Sequence, residues 1–319
     1  MSSTLLSSNA GPNAGPNVGS NLGSNLGSNL GSNLGSNVSP NLDPIPSAEE
    51  VARVRSSVQL HRWVSFFALY RREMKRFMKV IFQTVVTPLI NSSLYLLIFG
   101  VSLGKSIHME GGYSYLSFLI PGLVMMGVLN NAFQNSSSSV TSGKFSGDLE
   151  DLKVVPLTPN MILWAMAIGG LTRGLLVGFI TFLVGFVFQY AVENQLMSIA
   201  HPFALIYFLI IGGLTFSMLG VAVAFWAKTF DQMSAITSFV LQPLIYLGGV
   251  FFSIRGLNPF WQGVSSVNPV LYLINGVRFG FLGATDVAPV QAALLSGAAL
   301  IFFYVLAHTA LKRGDYSRW

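Results

Sequence analysis

Three groups of residues in this sequence are of types that could do chemistry. The first is Arg173, the one formal charge well inside a long apolar run. A cation at membrane depth is costly unless paired or wetted, which makes Arg173 a candidate for contact with a substrate or ion. The other apolar runs hold no Asp or Glu, so carbonyls, amides, water or an anionic substrate group remain as partners. Snorkelling to one surface is the alternative. The second group is polar but uncharged: Asn130, Asn131, Gln134, Asn135 and the serines at 136–139. On a helix, Asn130, Gln134 and Ser138 share one face, and Asn131, Asn135 and Ser139 the adjacent one. Amides in hydrocarbon either bond neighbouring helices or line a wet path. So many in one half of a span favours a path or a subunit interface, and Asn130, Asn131, Gln134 and Arg173 are the candidate translocation residues.

The third group is the charged stretch from Gly143 to Pro159. Asp148 reads as an N-cap, Glu150 and Asp151 put negative charge on the first turn, and Pro156 and Pro159 forbid continuation. A short helix over 148–155 follows. Leu149, Leu152 and Val155 recur every third position and share one face, leaving the acids on another. A plain connector between membrane helices needs only a few polar residues, whereas an apolar ridge beside acids suits docking against a soluble protein.

Other chemistry is excluded residue by residue. Gly100 and Gly104, followed by Lys105-Ser106, resemble a phosphate loop but have three residues between the glycines where the motif needs four, and no strand precedes them. No other nucleotide-binding signature occurs, so any ATP and Mg must be bound by another chain; no cofactor is expected in this one. Cysteine is absent, which removes thiolate and disulfide chemistry. His61, His108, His201 and His308 lack ligand spacing, so no metal site is expected. No Ser/His/Asp or paired-carboxylate constellation emerges, and Glu110 and Asp286 read as isolated acids. A transport subunit is expected rather than an enzyme.

The elements that must position these residues are read from composition. The 319 residues are 52% hydrophobic and only 9% charged, against about 25% charged in soluble domains, and the mean hydropathy is +0.59. This composition defines an all-α polytopic membrane protein. Spans are expected at 80–104, 113–142, 160–190, 202–227, 232–252 and 288–311, each long enough for the ~20 residues a crossing helix needs. Between the last two, 255–283 is interrupted by Asn258-Pro259 and Asn268-Pro269 and reads as broken, half-length helices, tolerated at depth only when buried in protein or lining a cavity. Six spans place fourteen Lys and Arg on one side and three on the other, with Arg173 inside a span. The positive-inside rule then puts both termini and the 143–159 stretch in the cytoplasm. The net charge of +6 is explained by topology and lipid headgroups, without nucleic acid.

Two segments precede the spans. Residues 9–44 repeat a four-residue unit beginning with Asn, rich in Gly, Ser and Pro, and the region 1–50 is expected to be a disordered tail. It has no basic residue before Arg53 and no apolar run, so it does not read as a signal peptide. From Trp63, apolar residues Phe67, Tyr70, Met74 and Phe77 step by four and three, with Arg71, Arg72, Lys75, Arg76 and Lys79 opposite. The segment 57–79 is therefore expected to be an amphipathic helix in the headgroup plane, touching membrane lipids.

This layout resembles the ABC-2 family of transporter permeases, and within it the YadH-like bacterial inner-membrane permeases. The resemblance is carried by Phe118-Leu-Ile-Pro-Gly-Leu-Val-Met-Met126, Lys144-Phe145, Glu150-Asp-Leu-Lys-Val-Val-Pro-Leu157, Tyr246-Leu-Gly-Gly-Val-Phe-Phe252, Asn268-Pro-Val-Leu-Tyr272 and Gly276-Val-Arg278. It covers about 57–319; the tetrapeptide tail departs from the family's short N-terminus. It implies a permease domain over 80–319, working as a homodimer or pseudo-dimer with two separate ABC ATPase subunits that bind ATP and Mg. The implied activity is export of a lipid-linked, glycan or amphipathic substrate across the inner membrane. Asp148, Leu149, Glu150, Asp151, Leu152 and Val155 would then form the coupling helix, and 255–283, with Asn268, Pro269, Tyr272 and Arg278, the re-entrant segment. The second and fifth spans would flank the path. An ATP-independent transporter or channel is the competing reading.

Overall fold

The computed structural model describes residues 48–104, 107, 112–150 and 157–314, with side chains from 63 onward. Of the expected tail at 1–50, residues 1–47 lie outside them and the last three belong to the first helix. The chain divides into two compact units, 1–56 and 57–319. Every regular element among the described residues is helical. In order these are α1 (Ala48–Met78), α2 (Ile81–Leu103), α3 (Tyr115–Ser146), α4 (Pro159–Glu193) and α5 (Pro202–Trp226). Then come α6, α7 (Pro259–Val267), α8 (Pro269–Leu282) and α9 (Pro289–Arg313). In α6 the pieces Phe230–Ile236, Thr237–Leu241 and Gln242–Tyr246 run on from one another, the middle one as π-helix. The last turns of α2, Leu96–Leu103, are also π-helical.

Five of these helices, α2, α3, α4, α5 and α9, are long and apolar enough to cross a membrane. The expected span at 232–252 is shorter in the structure. Helix α6 ends at Tyr246, where Gly248 and Gly249 follow and Gly249 adopts a φ of 85° that an ordinary side chain resists. Conversely, α3 runs to Ser146, four residues past the expected 142, because nothing before Gly147 (φ 85°) stops it.

Helix starts follow local chemistry. The side chains of Ser114, Thr158, Thr229 and Asn268 accept from the backbone N–H of Ser117, Met161, Gln232 and Val270, at 3.0, 3.4, 3.2 and 3.0 Å. Pro159, Pro202, Pro269 and Pro289 occupy first-turn positions, where a missing N–H costs nothing. A sequence Asn268-Pro269 therefore ends one helix and starts the next, which is why α7 and α8 are separate.

Helix α3 is the axis of the core. It packs against α4, α5 and α8, burying Phe118, Leu119, Met125, Leu129 and Phe133 against residues such as Phe216, Met218, Ile274 and Val277. Small residues bring backbones together, as in membrane bundles generally. A Cβ at Gly220 on α5 would stand 2.6 Å from the Phe133 carbonyl oxygen and 3.2 Å from the Ser137 nitrogen, both backbone atoms of α3 that cannot step aside. Gly220→Val is expected to destabilise the protein by about 1–3 kcal/mol through overpacking. Gly263→Val, where nothing lies within 4 Å, should be near neutral. Thermal unfolding of the two purified variants in detergent checks this; equal midpoints would contradict the close α3–α5 approach.

Candidate translocation site

A polar cavity of about 270 Å³ opens between α2, α3, α4 and α6. Asn130, Asn131 and Gln134 reach it from α3 and Arg173 from α4, so the structure gathers all four candidate path residues at one place. Helix α2 adds Gln83, Thr87 and Asn91, each exposed and four residues apart, and α6 adds Thr237 and Gln242. Within it, Gln242 donates to Asn130 Oδ1 (3.3 Å), Asn131 donates to the Gly127 carbonyl (3.1 Å) and Ser92 donates to Thr181 Oγ1 (3.2 Å). Arg173 donates to Gln134 Oε1 at 3.5 Å, a long bond for a charged group. The polar stripe of α2 was legible as an i, i+4, i+8 repeat inside an apolar span, yet the sequence reading passed over it because no charge marks it.

The rest of the α3 polar cluster does something else. The division falls between successive turns and not between faces: up to Gln134 the amides line the cavity, and from Asn135 on they hold α1. Glu73 of α1 is fully buried, 0% exposed, accepting from Ser139 Oγ at 2.7 Å and from Arg76 at 3.0 Å. Arg76 also donates to Ser138 Oγ (2.8 Å), the Asn135 carbonyl (2.7 Å) and Asn135 Oδ1 (3.3 Å). Gly169 of α4 makes room, since a Cβ there would meet Glu73 Cβ at 3.0 Å. This corrects the sequence reading of α1. Arg76 turns inward with Leu69, Glu73 and Phe77, while Trp63 and Phe67 stay exposed with Arg71 and Lys75. Glu73 can lie inward because its partner cation Arg76 is one turn away and Ser139 supplies a second donor.

At the end of α3, Lys144 is buried and donates from Nζ to the carbonyls of Ala224 (3.0 Å), Phe225 (3.1 Å) and Ala227 (3.3 Å) at the C-terminus of α5. The ammonium thereby satisfies orphan carbonyls and meets the negative end of the helix dipole. Beyond the Gly147 turn, Asp148 and Glu150 are exposed, but Leu149 is 0% exposed. Its Cδ1 lies 3.3 Å from where a Gly143 Cβ would be, so it anchors the stretch to α3 and is not part of an exposed ridge. Asp151, Leu152 and Val155 lie outside the described residues.

At the far end of α3, Asn268 donates to the Leu244 carbonyl (2.6 Å) and Tyr272 to the Ser266 carbonyl (2.6 Å), fixing the Asn268-Pro269 break against α6. Arg278, counted above among the surface charges, is only 2% exposed. Its guanidinium lies 3.6 Å from the Phe118 ring centroid and donates to the Gly249 carbonyl at 2.9 Å. Asp286 is not isolated: it accepts from Ser253 Oγ (2.8 Å) and the Ile254 N–H (3.2 Å), and Arg255 Nε stands 3.6 Å away. Glu110 lies outside the described residues.

A bundle of long apolar helices around a polar, mostly uncharged cavity is the architecture of a membrane transport subunit. The ABC-2 type transporter family model matches residues 64–282, and the chain belongs to that family. It is 38% identical over 252 residues to the inner membrane transport permease YadH of Escherichia coli K12, covering 79% of this chain and 96% of the relative. It is 25% identical over 248 residues to nodulation protein J of Neorhizobium galegae, covering 77% of this chain and 90% of the relative. Nodulation protein J of Rhizobium leguminosarum bv. viciae is 24% identical over 259 residues.

The Glu73–Arg76 pair yields a test independent of transport. Removing one partner of a fully buried ion pair costs about 3–5 kcal/mol, and here, with the Arg76 side chain 28% exposed and also bonded to Ser138 and Asn135, the loss should be smaller, about 1.5–3 kcal/mol. Glu73→Ala should therefore lower thermal stability sharply, and adding Arg76→Met should restore part of the loss. Strictly additive losses in that double-mutant cycle would mean the two side chains do not interact.

Proposed function

We propose that this chain is the membrane subunit of an ABC exporter in the bacterial inner membrane. On this reading it moves a lipid-linked, glycan or amphipathic substrate, driven by ATP and Mg bound to separate ABC ATPase subunits. The observation that carries the reading is the polar cavity. Gln83, Thr87, Asn91 and Gln134 are exposed at the depth of apolar helices. Hydrocarbon offers such amides no partners, so this face needs water or another protein surface over it. A second copy of the chain supplies that surface, making a homodimer with the path between its subunits.

The topology completes the reading. Helix α6 is the sixth crossing: its 17 residues, from Phe230 to Tyr246, give about 25 Å at ~1.5 Å per residue, and the chain beyond them makes up the remainder of ~30 Å. Helices α7 and α8 form the re-entrant pair on the outer side. Helix α1, with exposed Trp63, Phe67, Arg71 and Lys75, lies in the cytoplasmic headgroup layer. Both termini are then cytoplasmic by the charge balance. The stretch beginning at Asp148 faces the same side and couples the ATPase, with Asp148 and Glu150 outward and Leu149 holding it to α3.

Two experiments test this. Asp148→Arg with Glu150→Arg should lower the ATPase activity retained with the purified complex by about tenfold, since reversed charges across an interface cost well over 1.4 kcal/mol. An intact, fully active complex would remove the coupling assignment, and transport that persists without any ATPase would favour a channel. For the dimer, the natural lack of cysteine permits single replacements. Thr87→Cys should be joined to its counterpart by a bis-maleimide in native membranes, whereas Leu294→Cys, exposed on α9, should not. The reverse pattern would place the interface elsewhere.

A further inference from the structure

Arg173 is the one charged residue lining the cavity, and among the described residues it has no counter-ion. Its Nε is buried with no hydrogen-bond partner among the described residues, and its bond to Gln134 is 3.5 Å long. The one buried acid among the described residues is already committed: one Glu73 oxygen takes the Ser139 hydroxyl and the other takes Arg76. Arg76 itself is bound to Asn135 and Ser138, on the turn of α3 that follows Gln134. Two guanidiniums therefore meet the same short piece of α3, and the one carboxylate there pairs with Arg76 and not with Arg173. The remaining lining groups near Arg173 are amides and hydroxyls that can donate but carry no charge. A volume of about 270 Å³ falls just below the ~300–1,000 Å³ of small-molecule sites, enough for a head group and not for a long chain.

We propose that this cavity binds the oxyanion of an amphiphile's head group, a phosphate or a carboxylate, with Arg173 as its principal ligand. The inference rests on the reading of the cavity as part of the path and narrows the cargo to anionic amphiphiles. An uncompensated guanidinium at membrane depth is costly, and a bound oxyanion supplies both the missing charge and acceptors for Nε and the amides. Cationic head groups are repelled by the same charge, and neutral ones gain only ordinary hydrogen bonds.

The test uses the full chain in nanodiscs of zwitterionic lipid, with octyl phosphate, octyl glucoside and octyltrimethylammonium as probes of one chain length. Octyl phosphate should bind at least about tenfold more tightly than the other two, the worth of one charge-assisted hydrogen bond. Arg173→Gln should erase that preference, and Arg173→Lys should keep part of it. A separate basic groove, lined by Arg71, Arg72, Lys75 and Lys79 on α1, is the other place an anion could sit. Arg71→Gln with Lys75→Gln should leave the affinity within about twofold, as screened surface charges do. Equal binding of the three probes, unchanged binding in Arg173→Gln, or loss confined to the α1 variant would each overturn the proposal. The ranking on the natural chain, retained in the Arg71→Gln, Lys75→Gln variant and reduced in Arg173→Lys, decides the matter even if Arg173→Gln does not fold. A chain that prefers the anion but couples to no ATPase would refute the exporter reading alone; a coupled chain without the preference would refute this inference alone.

Discussion

Helix α3 is buried on nearly every side yet carries four amides and a run of hydroxyls, and inside a bilayer no water is available to satisfy them. Most of the structure can be understood as the set of partners that this helix requires. Ser136 bonds the Met166 carbonyl of α4 at 3.3 Å and Ser217 of α5 reaches the Ala132 carbonyl at 3.4 Å, so hydroxyls stitch the central bundle. Asn135, Ser138 and Ser139 recruit an ion pair from α1. Only Asn130, Asn131 and Gln134 are left facing a void, and that remainder is the cavity. The site is thus where the polar face of α3 meets no neighbouring helix closely, its amides bonded only in part by Gln242, the Gly127 carbonyl and Arg173.

That division explains what was legible in the sequence and what was not. Five long spans and the broken stretch before the last of them follow from hydropathy, Asn-Pro and Gly placement, which are local signals. The four path candidates were legible because polar residues in an apolar run are conspicuous one by one. The inward turn of Arg76 was not, since it depends on Glu73 meeting Ser139 sixty-six positions away. A helical wheel ranks Glu73 by its polarity and cannot register a partner that distant. Leu149 was misread for the same reason: periodicity shows that it shares a face with Leu152, but not that Gly143 leaves a space for it.

Charges follow a common rule here. Lys144 and Arg278 are buried and Arg76 is 28% exposed, and each has an acceptor within 3.0 Å: a carboxylate and amide, three carbonyls at a helix end, or a carbonyl with an aromatic face beneath the guanidinium. Arg173 departs from this rule, and it does so at the cavity. Family membership and the polar void point independently to transport, and the departure indicates which chemical class of cargo to look for.

The clamp on Lys144 bears on how the protein is made. Its acceptors, the carbonyls of Ala224, Phe225 and Ala227, lie eighty to eighty-three residues further along the chain. A ribosome completes α3 well before it reaches α5, so throughout that interval the Lys144 ammonium lacks these three carbonyl acceptors. The lower end of α3 can therefore seat only after α5 has been inserted. Glu73 and Arg76 are also held open until Asn135 and Ser139 arrive. Assembly of this membrane bundle is in this sense ordered by its charges, with Lys144 and the Glu73–Arg76 pair each completing its contacts only when a later segment is synthesised.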